Sequence, residues 1–91
     1  MGWSAARKLR RAVDGLARVL AVEILTASRA IDMRAPLVPA PATAAVRDGL
    51  RHDVDGPATD RYLAPEIEAA FQYVVTGGAL AAAESVTGPL L

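Results

Sequence analysis

Cysteine is absent from the 91 residues, which excludes a disulfide framework, a thiolate metal site and a cysteine nucleophile. A protein of the cell interior is the simpler reading. Net charge is missing as well: ten Lys and Arg balance ten Asp and Glu, so no overall field favours nucleic acid or an anionic membrane as a partner. No apolar run reaches the roughly 18 residues that a membrane helix needs. The opening MGWSAARKLRR also lacks the compact apolar core and cleavage site of a secretion signal. The expectation is a soluble, cytoplasmic chain.

The motifs of catalysis and ligand binding are equally scarce. His52 is the sole histidine. It stands beside Asp53 and near Asp55, but one imidazole without a second makes a poor metal or acid/base site, and a solvated helix end is preferred. DVDG from Asp53 resembles part of a calcium loop, yet such a loop would need Gly and Glu where Ala58 and Ala64 stand. Gly77 and Gly78 lack the spacing of a phosphate loop and are read as a helix stop. Ser4, Ser28 and Ser85 have no histidine arranged as their base, so nucleophilic catalysis has no support. There are no internal repeats. No catalytic, cofactor-binding or metal-ligating residue is assigned.

What the sequence does have is an ordinary globular balance, with 53% hydrophobic and 22% charged residues, and one long helical pattern. From Ser4, read as an N-cap, to about Met33 only the tolerable Gly15 interrupts helix-forming residues. Leu9, Val13, Leu16, Leu20, Ile24, Ala27 and Ile31 follow at intervals of three or four and form an apolar stripe. Arg7, Arg11, Asp14 and Arg18 form a polar one, with Asp14 placed to pair with Arg18.

Past Arg18 the helix turns apolar in almost every direction: Val19, Val22 and Leu25 add themselves to the stripe. Such a dry waist must be enclosed by other helices. A helix over residues 4–33 is roughly 45 Å long, whereas a compact chain of this size has a radius of gyration of about 12 Å. Glu23 is the one charge in the waist. Buried and unpaired it would cost several kcal/mol, so it either meets a partner from another subunit or reaches out to water. Val19, Val22, Glu23 and Leu25 are the candidate contacts between copies of the chain.

After the helix, Pro36, Pro39 and Pro41 make a stiff connector. A short helix is expected from about Pro41 to His52, with Ala45, Val46 and Leu50 buried. A third runs from Pro65 to about Thr76, with Glu66 and Glu68 at the positive end of its dipole and Ile67, Ala70, Phe71, Val74 and Val75 on its apolar side. ALAAAES is read as a last short helical turn before a tail, VTGPLL, that is disordered unless held. Trp3, Tyr62 and Tyr73 are read as packing residues with one polar end each. The fold class is all-α: one long helix over about 4–33, then two or three short ones, as part of a helical bundle. Three short helices cannot jacket a helix this long, so the chain is expected to pair with itself, as a dimer or tetramer, through the long helix.

Two segments, MGWSAARKLRRAVDGLARVLAVEIL and DRYLAPEIEAA, with IDMRAPL between them, resemble the C-terminal end of bacterial histidine ammonia-lyases, within the aromatic amino acid lyase family. The resemblance covers essentially the whole chain in order and spacing. It implies a cytoplasmic homotetramer with long helices bundled at its centre, and a parent reaction that converts L-histidine to trans-urocanate and ammonia. It also implies a methylidene-imidazolone electrophile made from an internal Ala-Ser-Gly. No Ala-Ser-Gly occurs here. The family's Gln-Glu-Asp-His-Val-Ser stretch and its substrate-binding residues would lie upstream of residue 1, so Met1 matches an interior methionine.

By this resemblance the chain is a C-terminal structural and oligomerisation segment, inactive alone, with a small-molecule substrate only in the full-length parent. Two alternatives stand beside it. One is an autonomous helical self-association module. The other is a segment of a related aromatic amino acid lyase or aminomutase.

Overall fold

The computed structural model of the chain describes residues 2–90. It contains helices α1 (Gly2–Met33), α2 (Pro41–Leu50), α3 (Ala64–Val75) and α4 (Gly78–Thr87), with no strand among the described residues. The all-helical expectation holds, with three short helices after the long one. α1 packs on α3, α2 packs on α4, and α3 touches α4 to join the two pairs. The radius of gyration is 15.1 Å and the longest dimension 54 Å. Both exceed a compact chain of this length, because α1 runs on past everything that could cover it.

Several boundaries differ from the sequence reading. α1 starts at Gly2, so Ser4 lies inside the first turn and is no N-cap. α2 ends at Leu50, and His52 belongs to the turn that follows. In that turn the Val54 amide still donates to the Leu50 carbonyl at 3.0 Å, bringing Val54 back into the core. α3 starts at Ala64, with Pro65 in its first turn, where a missing N–H has no cost. Gly77 adopts φ 83°, the left-handed conformation that ends a helix and that glycine adopts freely. Gly78 does not share in that stop but opens α4.

α4 is a helix of 10 residues rather than a single turn. Its end is held, since the Leu90 amide donates to Glu84 Oε2 at 2.8 Å. Ala79, Ala81, Ala82 and Ala83, with Leu80 among them, give the segment high helix propensity.

The core is small. Ala17 and Ala21 of α1, Leu50 and Val54 around the end of α2, and Ala70 and Phe71 of α3 are buried, with Ile24, Leu25, Ala69, Tyr73 and Val74 packed against them. Ala45, Val46 and Ile67 are half-buried, and Val75 is exposed rather than part of the apolar side. Of the three aromatics expected to pack, Tyr73 does. Trp3 and Tyr62 are each 80% exposed among the described residues.

Tyr73 fastens the two helix pairs. Its hydroxyl donates to the Val46 carbonyl at 2.9 Å, and its ring lies so close to Gly49 that a Cβ there would collide with the hydroxyl. Burial, and secondarily the charge of Asp48, raise its pKa above 10.0. Below that pH the phenol is neutral in both folded and unfolded chains and its contribution is complete. As pH rises through 10 the unfolded chain ionises first, and stability is lost. Tyr73→Phe is therefore expected to cost about 0.5–1.5 kcal/mol at neutral pH and to flatten the alkaline fall in melting temperature. Equal alkaline slopes for the two proteins would contradict this account.

Candidate functional site: the open faces of α1

The line that α1 turns toward its own chain is made of small residues. Ala17, Ala21 and Ser28, spaced four and seven apart, are its buried positions, and Ala21 and Ala70 are both at 0% exposure. Small side chains at the contact let two helix axes approach closely. This line was not singled out in the sequence, although its spacing was there to be read. The eye follows large residues, and the large stripe faces elsewhere.

That stripe is open. Leu9 is 65% exposed, Val13 and Leu16 are 58% and Leu20 is 38%. Residues 2–16 are exposed without a break.

The four candidate contacts fall differently. Val19 and Val22 are 56% and 47% exposed. Leu25 is half-buried and packs against the core of its own chain. Glu23 is exposed, with no ion-pair partner among the described residues. Within one chain, then, three of the four project from the waist and one is shared with the core.

Charged side chains fix how α1 sits. Arg18 lies over the Phe71 ring, 4.0 Å from its centroid. The same guanidinium reaches Asp14 at 3.5 Å, the pairing expected from the spacing, and Glu68 at 3.4 Å. These contacts are half-exposed, and the cation–π stacking contributes more than the ion pairs do.

At the other end, Asp32 accepts from Arg51 Nε at 3.1 Å and from its Nη2, with Arg47 at 3.8 Å. This pins the end of α1 to the end of α2. Arg61 holds the loop before α3 by donating to the Asp55 and Gly56 carbonyls at 2.8 and 3.1 Å and to Glu66 at 2.6 Å.

A shallow cleft of about 170 Å³ opens between α1, this loop and the start of α3, lined by Val22, Leu25, Thr26, Arg29, Val54 and Ile67 among others. Its remaining charged groups are Arg51 and Arg61, engaged as above, with Glu66 and Asp55 at the rim. It brings together no nucleophile and base. No group of three His, Cys, Asp or Glu side chains that could hold a metal occurs among the described residues, and His52 is exposed. No described helix is long and apolar enough to cross a membrane.

The surface, rather than a pocket, is what this chain offers, and comparison with known proteins shows where such a surface occurs. The sequence profile of the family described as aromatic amino acid lyase matches residues 1–52, which takes in α1 and α2. The chain belongs to the aromatic amino acid lyase family. Among its relatives, the histidine ammonia-lyase of Streptomyces coelicolor is 60% identical over 91 residues and that of Streptomyces avermitilis 54% over 91. The one from Symbiobacterium thermophilum is 44% identical over 90 residues. In each case the match takes 99% of this chain and 18% of the relative.

A lyase segment of this kind accounts for a helix whose faces have no cover within the chain, because most of each relative's length lies outside the matched part. No solved structure matches the chain.

Proposed function

We infer that the chain is the C-terminal structural and oligomer-forming segment of a histidine ammonia-lyase that works in the cytoplasm on L-histidine, giving trans-urocanate and ammonia. The identity of 54–60% to proteins of that name, along 99% of the chain, carries the reading. The uncovered apolar faces of α1 support its oligomer-forming part. The segment associates with copies of itself through α1, as a dimer or tetramer, with Val19, Val22, Glu23 and Leu25 among the contacts. It has no nucleic-acid or membrane partner in this reading.

The methylidene-imidazolone of the parent reaction does not fit the residues present. Its precursor is Ala-Ser-Gly, and the nearest sequence here is Ala27-Ser28-Arg29, with Ser28 buried inside a helix. No step through that group is assigned to this chain, and its role is to hold subunits together. The purified chain is therefore expected to produce no urocanate from histidine. Turnover above a blank prepared from the same host would overturn the reading of an inactive segment.

A further inference from the structure

A chain of polar contacts runs through the loop between α2 and α3. Asp32, at the end of α1, accepts from Arg51, and Arg51 Nη1 donates to the Asp55 carbonyl at 3.4 Å. The same carbonyl accepts from Arg61 Nη2 at 2.8 Å, and Arg61 Nε holds Glu66 in the first turn of α3. Two guanidiniums thus meet at one backbone oxygen, each fixed on its far side by a carboxylate.

The two halves of this chain are unequally anchored. On the Arg51 side the loop is fastened to the body of the fold: the Arg51 and Asp32 side chains are only 20% and 24% exposed, and Val54 belongs to the core. On the Arg61 side, residues 57–63 are all exposed. Among the described residues, no amide of residues 55–63 donates a backbone hydrogen bond, and every hydrogen bond this stretch donates comes from the Arg61 guanidinium. That one side chain reaches back to the Asp55 and Gly56 carbonyls and on to Glu66, closing the stretch on itself. A segment with few buried contacts and a single anchor opens at less cost than the fold around it.

We propose that residues 57–63 are a strap that swings off the cleft while the rest of the fold stays closed, and that Arg61 on Glu66 is its latch. The strap contributes Pro57, Arg61 and Leu63 to the cleft lining, whereas Val22, Leu25 and Ile67 belong to α1 and α3 and stay in place. Releasing the latch therefore widens the cleft from one side and leaves its apolar floor intact. The Glu66 side chain is 16% exposed, so its charge-assisted bond to Arg61 is strong and little screened by salt. The width of the cleft is made to depend on one ion pair.

Trypsin tests this directly, because it must draw an arginine side chain into its own pocket and can cut after Arg61 only when that side chain has left Glu66. When opening is fast, the rate of cutting follows the fraction open. Glu66→Gln keeps the size of the side chain but replaces a charged acceptor by a neutral one, and should speed cutting after Arg61 on the order of fivefold. Cutting after Arg51, beside the buried Val54, reports opening of the fold itself and should stay slow in both proteins. Glu68→Gln removes the same charge from the same helix without touching Arg61, and should leave cutting after Arg61 at the parent rate. Mass spectrometry of the fragments assigns each cut.

Nuclear magnetic resonance relaxation gives a second reading without protease: order parameters of residues 57–63 should fall in Glu66→Gln while those of the four helices hold. Equal rates of cutting after Arg61 in the parent and Glu66→Gln, whether fast or slow, would overturn the latch. Cutting after Arg51 that rises in step with cutting after Arg61 would overturn the strap as a separate moving part.

Discussion

Phe71→Ala is expected to lower the stability of the fold by about 3–5 kcal/mol, the usual range for removing a buried phenylalanine. A domain holds only some 5–15 kcal/mol in all, and this core has few large side chains, Leu50 being the one that is fully enclosed. Phe71 is 8% exposed and also carries the Arg18 guanidinium on its face, so the change removes both an apolar contact of α1 with α3 and the Arg18 stacking, leaving the exposed Arg18–Glu68 pair. Unfolding by urea, followed by circular dichroism, would measure the loss. Phe71→Leu, which keeps most of the apolar contact, should recover the greater part of it. A Phe71→Ala protein with an unchanged midpoint would mean that α1 and α3 are held together by something other than this core.

A second large effect is expected at the waist. Replacing Val22 and Leu25 together by Lys should break the assembly and release a poorly folded chain. Covering each such side chain fully contributes about 1.5–3 kcal/mol, and Leu25 serves the core of its own chain as well. Single changes separate the two roles. Val22→Lys, at a position 47% exposed within the chain, should lower the assembled mass while leaving helix content high. Leu25→Lys should reduce both. If the double variant keeps the mass and melting temperature of the parent chain, the waist is not a contact.

Much of this architecture was legible because its causes are local. The length of α1 follows from an uninterrupted run of helix formers, and the prolines at 36, 39 and 41 end it decisively. The Asp14–Arg18 pair needs only a spacing of four. The proposition that the helix outruns its domain needed only its length and the chain's size.

What escaped depends on tertiary choice. Two lines on α1 could have faced α3, and the large residues make the more conspicuous one. The structure instead buries the small Ala17 and Ala21 with Ala70 and Phe71, because small side chains let the two helices sit close. The extent of α4 was missed for a related reason. VTGPLL looks like a free tail until α2 supplies a surface and Glu84 a bond to the Leu90 amide. Trp3 and Tyr62 were expected to pack, but aromatic character does not say against what, and among the described residues both stay exposed. That α1 would outrun its cover followed from its length, but the waist was expected to be the open part, and the structure instead buries Ala21 there, packs Ile24 and Leu25 on the core and leaves residues 2–16 open.

The account stands on the claim that α1 is incomplete alone and is finished by copies of itself. The absolute mass of the purified chain by light scattering, across a range of concentrations, tests that most directly. The prediction is a folded species at two or four times 9.5 kDa. A chain that remains at 9.5 kDa and melts sharply at high concentration would contradict it.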